Sequence, residues 1–357
     1  MERSAVVERS TAWSRTQWQG VVIPFLVSRL VSDVLIGAMA WARGADAVRG
    51  GFGIWDGRWY TWVAAHGYSA IPPHALHHQT PWPFFPLLPL AMKSVSRLGG
   101  VSLPVAGIVV NHVVFFVALV GIHRIALRHV SHEAASLAVW IAALGPLAFV
   151  FSMIYPSALF MAASVWAFLL VERGNDALAG IAVAGAALAR PDGVVVALVL
   201  LFVVRFEWSR VTRVCGPAAV ALSAWMFFNY ERTGDALRFL HAKLAWHEVD
   251  LVALIHRPRA PALVHLMIAV IAFLLVVMAR RAIPRAWSWF TGLYLLPSLV
   301  FGIVGLGRYA TETFPPFVAT GALLAPRSRR TSLLTCGALL GAQALFAYFY
   351  IARNALL

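Results

Sequence analysis

Two cysteines, Cys215 and Cys336, are all that the chain holds in 357 residues, and both sit in apolar stretches without metal-ligand spacing. A disulfide-stapled fold and a cysteine-ligated zinc site are thereby excluded, and the two thiols read as packing residues. Charge is scarce too. Asp, Glu, Lys and Arg make up 12% of the sequence and hydrophobic residues 61%, about half the charge of an ordinary soluble domain. Such a chain cannot cover a water-facing surface and belongs in a bilayer. Acids are the rarest class, 15 against 29 bases, which leaves a formal net charge of +14. A basic excess also marks nucleic-acid-binding proteins, but here the arginines fall at intervals between apolar runs, and that class is excluded. The opening stretch, "MERSAVVERSTAWSRTQWQG", lacks a short apolar core before a small-residue cleavage site. Residues 1–20 therefore read as a cytoplasmic tail, and 21–357 as one transmembrane domain.

A spanning helix needs about 20 mostly apolar residues, fewer where neighbours shelter it. Eleven segments qualify, near 21–42, 103–123, 134–151, 156–171, 177–189, 194–206, 214–229, 261–279, 286–305, 313–325 and 331–350. Alternate connections then sort by charge. One set carries Arg124 and Arg128; Arg205, Arg210 and Arg213; Arg280, Arg281 and Arg285; and Arg327, Arg329 and Arg330. The positive-inside rule assigns that set to the cytoplasm. The other set comprises the long loop 43–102, the turn at "MIYPSALF", the turn at "ARPDG", the loop 230–260 and the turn at "GRYATE". The sorting requires that 83–98 not cross. Pro83, Pro86 and Pro89 crowd its start, Lys93 and Arg97 mark a polar side, and an interfacial helix fits this pattern. The expected fold is an all-α polytopic membrane protein of about eleven transmembrane helices, with interfacial helices in a long first extracytoplasmic loop.

The polar clusters too unusual for routine membrane packing all fall in the second set. "GIWDGRWYTWVAAHGY", residues 53–68, frames Asp56 with aromatics, and the tight turns carry Tyr155, Arg190 with Asp192, and Arg308 with Tyr309. Ionisable groups at membrane depth are costly and point to function. Within the first span, Arg29 and Asp33 stand one helical turn apart, where an ion pair offsets burial. That pair, like Asn111 and His112, reads as a contact between helices. His74, His77 and His78 form a His-x-x-His-His run in a Pro-rich loop, which reads as a solvated turn, and no metal site is expected.

In order along the chain, "IWDGRWYTWVAAHGY" with "PWPFFPLLPL", "IYPSALF", "ALARPDG", "TGDALRFLHAKLAW" and "LGRYATETFP" resemble the motif series of the PIG-V-like family, GPI mannosyltransferase II and its bacterial relatives. The resemblance spans nearly the whole chain. There are three departures from the family pattern: Ser157 stands where the family often has a glutamate, Lys243 where it often has a glutamine, and Gly57-Arg58 follow the aspartate in place of a nearby histidine. The resemblance implies a GT-C glycosyltransferase in a plasma membrane, its site on the extracytoplasmic face. It implies transfer of a sugar, mannose by analogy, from a polyprenyl-phosphate carrier to a hydroxyl of a glycan or glycolipid acceptor. Composition rich in Ala, Arg and Val suits a GC-rich bacterial source such as an actinobacterium.

That chemistry needs a base for the hydroxyl proton and cations for the departing phosphate. A single inverting displacement needs one carboxylate, where retaining glycosidases use two. Asp56 is the candidate base. Arg190 and Arg308, whose guanidinium forks match phosphate oxygens, are the candidate phosphate ligands, with Lys243 as a third cation. Trp55, Arg58, Tyr60, Tyr68, Tyr155, Asp192, Asp235, Trp246 and Tyr309 are candidate substrate contacts. For the tryptophans an aromatic interface belt is the competing role, and for Asp192 and Asp235 a helix cap. No cofactor and no metal is expected beyond the lipid-linked donor. Two other classes share these features: a transporter or flippase of a polyprenyl-linked lipid, which needs the groove and arginines but no base, and a non-catalytic partner of another glycosyltransferase.

Overall fold

The computed structural model describes residues 15–73, 75, 79–243, 251–256 and 259–352. Among these residues every regular element is helical. In chain order the α-helices are α1 Arg15–Ala42, α2 Asp56–His66, α3 Leu87–Gly99, α4 Leu103–Ala126, α5 His132–Leu144, α6 Ser157–Glu172, α7 Asp176–Ala189, α8 Val194–Val203 and α9 Trp208–Val214. There follow α10 Gly216–Thr233, α11 Arg238–Lys243, α12 Leu251–His256, α13 Ala260–Met278, α14 Arg285–Phe301, α15 Leu306–Glu312, α16 Pro315–Leu324 and α17 Arg329–Ala347. Each of the eleven apolar segments contains a helix. Four stretches, Gln17–Ala42, Leu103–Ala126, Ala260–Met278 and Arg329–Ile351, are long and apolar enough to cross a membrane, and α9 with α10, bent by 46°, makes a fifth if the pair is one broken span. Five more, including α5, α6 and α7, are apolar but shorter. The architecture is that of a helical membrane protein.

Two of the expected segments are not continuous helices. The 134–151 run stops as an α-helix at Leu144, because Gly145 is extended before Pro146, and resumes as one 3-10 turn over Ala148–Phe151. A residue before proline is driven out of the helical region. The 286–305 run ends at Phe301, where Gly302 takes φ 152°, and a 3-10 turn leads into α15. Segment 83–98 forms α3, which buries Leu88, Pro89 and Met92 and turns Lys93, Ser94 and Arg97 outward. Its 13 residues extend about 20 Å, short of the roughly 30 Å of a hydrocarbon core.

Small residues set how closely the helices approach, as is usual where lipid removes the hydrophobic drive to associate. Ala134, Ala135, Ala138 and Ala142 of α5 are buried along the face against α16, where a Cβ on Gly321 would collide with the Ala134 carbonyl. Aromatic stacking fills the wider gaps. Phe115 of α4 stacks on Phe151 at 4.5 Å between centroids, and Phe160 of α6 on Tyr294 of α14 at 4.4 Å.

Ion pairs tie the arginine-rich connections to one another. Arg128 and His129, after α4, reach Glu172 at the end of α6, and Arg210 of α9 holds Asp176 at the start of α7 at 2.8 Å. Ser131, Asn175 and Ser328 cap α5, α7 and α17 on the same set of connections.

The turn from α7 to α8 is the tightest joint. A Cβ at Gly193 would overlap the Ala186 carbonyl and the Ala187 amide, whereas one at Gly216 meets nothing within 4 Å. Gly193→Ala is therefore expected to destabilise the protein by about 1–3 kcal/mol, the cost of overpacking a filled interior, with Gly216→Ala close to neutral. Thermal unfolding of the two variants in detergent checks this.

Candidate active site

Backbone that leaves the helix inside a bilayer must find partners for its N–H and C=O groups within the protein. The stretch 145–156 meets this demand with side chains from two helices. Arg29 of α1 donates to the Ala148 carbonyl at 3.1 Å and to Ser152 Oγ at 2.6 Å, and Asn111 of α4 donates to the Met153 carbonyl. Ile154 N–H bonds the Phe52 carbonyl at 2.9 Å, which splices this stretch to the irregular one before α2. Arg29 and Asp33 are not joined side to side as their spacing suggests. Ser152 stands between them, accepting from Arg29 and donating to Asp33 Oδ1 at 2.6 Å, while Asp33 Oδ2 pairs with His112 at 2.9 Å. These groups serve contact between α1, α4 and the 145–156 stretch.

What this frame holds is Asp56. Trp55, the residue before it, has φ 53° and ψ −120°, a conformation costing of order 1–3 kcal/mol that the surrounding fold must impose. The Ile54 carbonyl accepts from the Tyr155 hydroxyl at 3.3 Å and from Gly57 N–H at 3.0 Å. Asp56 then opens α2, and its Oδ2 accepts from Arg308 Nη1 at 2.8 Å. Arg308 comes from α15, placed there by the break at Gly302. Tyr155 lies 5.0 Å and Tyr309 5.5 Å from its guanidinium carbon. The Tyr155 and Tyr350 hydroxyls share a hydrogen bond.

A second ionic centre lies beside the first. Arg190, at the Gly193 turn, donates from Nη1 to both oxygens of Glu312, to Oε2 at 2.6 Å. Glu312 also accepts from Ser157 at 2.6 Å and from Tyr294 at 2.8 Å, and it is fully buried. Tyr309 links the centres, with the Arg190 guanidinium 4.2 Å from its ring. The two carboxylates differ in access. Glu312 is sealed by three donors, whereas the Asp56 side chain keeps 30% of its exposure.

Electrostatics sharpen the contrast. Burial pushes the Tyr60 phenol well above its ordinary range, only partly countered by Arg190, and burial beside Tyr350 does the same for Tyr155. Both stay neutral at physiological pH, and the Tyr155 hydroxyl bonds the Ile54 carbonyl and Tyr350. Burial would depress the Arg308 guanidinium, but Asp56 and the neighbouring tyrosines outweigh it and hold the group well above the usual arginine value. Arg308 remains a cation in a half-buried setting.

Of the residues singled out from sequence, Asp56, Arg308, Tyr155, Tyr309, Arg190 and Tyr60 come together here. Trp55 adjoins them with a buried indole N–H that has no partner among the described residues. Asp192 stands half-buried in the turn beside Arg190, and Arg58 points outward from α2. Tyr68 belongs to an aromatic group with Trp82 and Trp225, at 5.3 and 4.9 Å, and its hydroxyl donates to the Phe84 carbonyl at 2.7 Å. Asp235 builds a local turn: it accepts from Leu237 N–H and pairs with His241 at 2.8 Å, and that bond to His241 holds its carboxyl below the usual range. Lys243 is half-buried at the end of α11. Trp246, His74, His77 and His78 lie outside the described residues. Among those described, no three His, Cys, Asp or Glu side chains converge as a metal site. Sequence reasoning missed Glu312, Tyr294 and Tyr350. Glu312 carried a signal, an acid four residues after Arg308 in an apolar setting. Tyr294 and Tyr350 carried none.

No family model, curated protein or solved structure matches the chain. The site belongs to a helical membrane protein with one accessible carboxylate set against a half-buried arginine, and its chemistry is read from that geometry.

Arg190 and Glu312 offset each other's burial, and removing one leaves the other uncompensated. Arg190→Met is expected to cost about 3–5 kcal/mol of stability, the scale for breaking a buried pair. Adding Glu312→Leu should restore part of that loss, as thermal melts of the single and double variants will register.

Proposed function

We propose that the chain is a GT-C-type membrane glycosyltransferase that passes a sugar, mannose by family resemblance, from a polyprenyl-phosphate carrier to a hydroxyl of a glycan or glycolipid. One observation carries the reading: Asp56, the more open carboxylate of the pair Asp56 and Glu312, lies 2.8 Å from Arg308, a half-buried cation. In the proposed step the acceptor hydroxyl gives its proton to Asp56 as its oxygen bonds to the anomeric carbon. The bond from that carbon to the phosphate oxygen breaks, and its electron pair leaves with the polyprenyl phosphate, whose added negative charge Arg308 receives. One displacement inverts the anomeric centre. Arg190 is held by Glu312 and lends positive potential through Tyr309, so Arg308 is the first ligand of the phosphate. Lys243 remains a candidate third cation for the donor phosphate, and Asp192, Asp235 and Trp246 remain candidate substrate contacts.

The proposed setting is a bacterial plasma membrane crossed eleven times, with the cluster at the extracytoplasmic boundary and α3 in the interface. Arginine distribution supports this orientation. Ser69 and Ser131 are both exposed and fall in opposite sets of connections. In cells, a cysteine at Ser69 should react with an impermeant maleimide and one at Ser131 only with a permeant reagent. Labelling of both by the impermeant reagent would overturn the eleven-span topology.

The chemistry is tested at Asp56. Asparagine keeps the size and much of the hydrogen bonding but loses the basic lone pair, so Asp56→Asn should reduce transfer about a hundredfold or more per folded molecule, with the folded fraction read from thermal melts. Transfer from polyprenyl-phosphate mannose by purified protein is the measurement. Near-normal turnover by the asparagine variant removes Asp56 from the chemistry and favours the transporter reading, which requires no base.

A further inference from the structure

Asp56 and Arg308 occupy each other. To take a proton, Asp56 must turn its lone pairs to a hydroxyl; to hold a phosphate, Arg308 must turn its N–H groups to the phosphate oxygens. Here Oδ2 and Nη1 are bonded at 2.8 Å, and neither group is free for its task. The arrangement is also short of acceptors. Arg308 Nε and Trp55 Nε1 are both buried donors with no partner among the described residues; the first belongs to one end of the contact and the second to the residue that precedes its other end. Tyr155 and Tyr309 flank the guanidinium. A carboxylate brings two oxygens to this place, whereas a phosphate brings three strong acceptors and more charge and pairs with the guanidinium fork in its plane.

We propose that Arg308 is held in turn by Asp56 and by the phosphate of the lipid carrier, so that binding of the phosphate displaces Asp56 and thereby releases the base. This rests on the reading of Arg308 as the phosphate ligand and adds an order to it. The lipid phosphate binds first, and the hydroxyl acceptor finds a proton-accepting carboxylate only afterwards. Without carrier lipid the base stays latched, and water entering the site meets a neutralised pair. Trp55 is the joint on which the exchange turns, since its backbone is already outside the ordinary regions at φ 53° and its indole N–H is left over for an incoming oxygen.

The exchange has a consequence opposite in sign to that of an ordinary binding residue: Asp56 competes with the ligand, and removing it should tighten phosphate binding. The test measures binding of undecaprenyl monophosphate to the full-length protein in nanodiscs, for wild type, Asp56→Asn, Arg308→Gln and the double variant, with undecaprenol as the phosphate-free control. Asp56→Asn should bind the phosphate about tenfold tighter or more, between the worth of an exposed ion pair and that of a buried one. The gain should disappear in the Arg308→Gln background, and undecaprenol should bind all four proteins alike. Should Arg308→Gln fail to fold, Arg308→Lys takes its place, and the gain should shrink because lysine has no planar fork. Unchanged or weaker binding by Asp56→Asn overturns the exchange, as does a gain that persists in the Arg308 variants, since that would be a general effect of charge. Binding that follows the expected pattern in a protein transferring no sugar would retain the exchange and remove the glycosyltransferase reading. Normal transfer without any gain in affinity would do the reverse.

Discussion

Main chain that leaves the helix in an apolar interior has to be bonded by the protein itself, and the rest of the structure follows from that constraint. Three stretches break the helical pattern around the site: 44–55, 145–156 and 302–305. The first two are secured by groups brought from a distance. Arg29 and Asn111 bond the carbonyls of the second stretch, and the second bonds the first through Ile154 and Tyr155. The buried polar groups of α1 and α4 are thus structural, and the polar groups left over from that task are the ones that define the site.

The two ionic centres divide the work between rigidity and access. Glu312, with every oxygen engaged, fixes the turn that bears Arg190 and the helix that bears Tyr309. A fully satisfied buried network specifies one arrangement and resists movement. Asp56 has one bond to a side chain and partial exposure. Rigidity therefore stops short of Asp56, the carboxylate to which the proposed exchange of partners is assigned.

Much of the helical layout was legible because long apolar runs and arginine-marked breaks are strong signals. Every expected span holds a helix, and the Pro-bearing turns at Pro156 and Pro191 fall where their residues suggest. Helix ends were harder: Gly145-Pro146 cuts the 134–151 run, although the apolar pattern continues through Phe151. Of the site, Asp56 and Arg308 were legible as ions out of place. Their bond was not, nor was the insertion of Ser152 between Arg29 and Asp33, because pairing across more than a hundred residues is written in helix packing and leaves no local spacing. Ser157 is the clearest instance. Alone it is a small residue where related motifs carry an acid; in the fold it is a donor to an acid supplied by α15.

The Asp56–Arg308 bond joins residues 252 positions apart. At a synthesis rate of about 5–20 residues per second, roughly 13 to 50 s separate their emergence from the ribosome. Tyr350, which bonds Tyr155, emerges later still. The carboxylate must spend that interval without its cation, while the helices between them are inserted one after another. The N-terminal half can enter the bilayer with Asp56 left at the water boundary, but the centre closes only when α15 and the final helix arrive. A chain cut short before α15 would carry the Asp56 carboxylate and none of its counter-charge, so an unfinished product lacks the ion pair at the centre of the site.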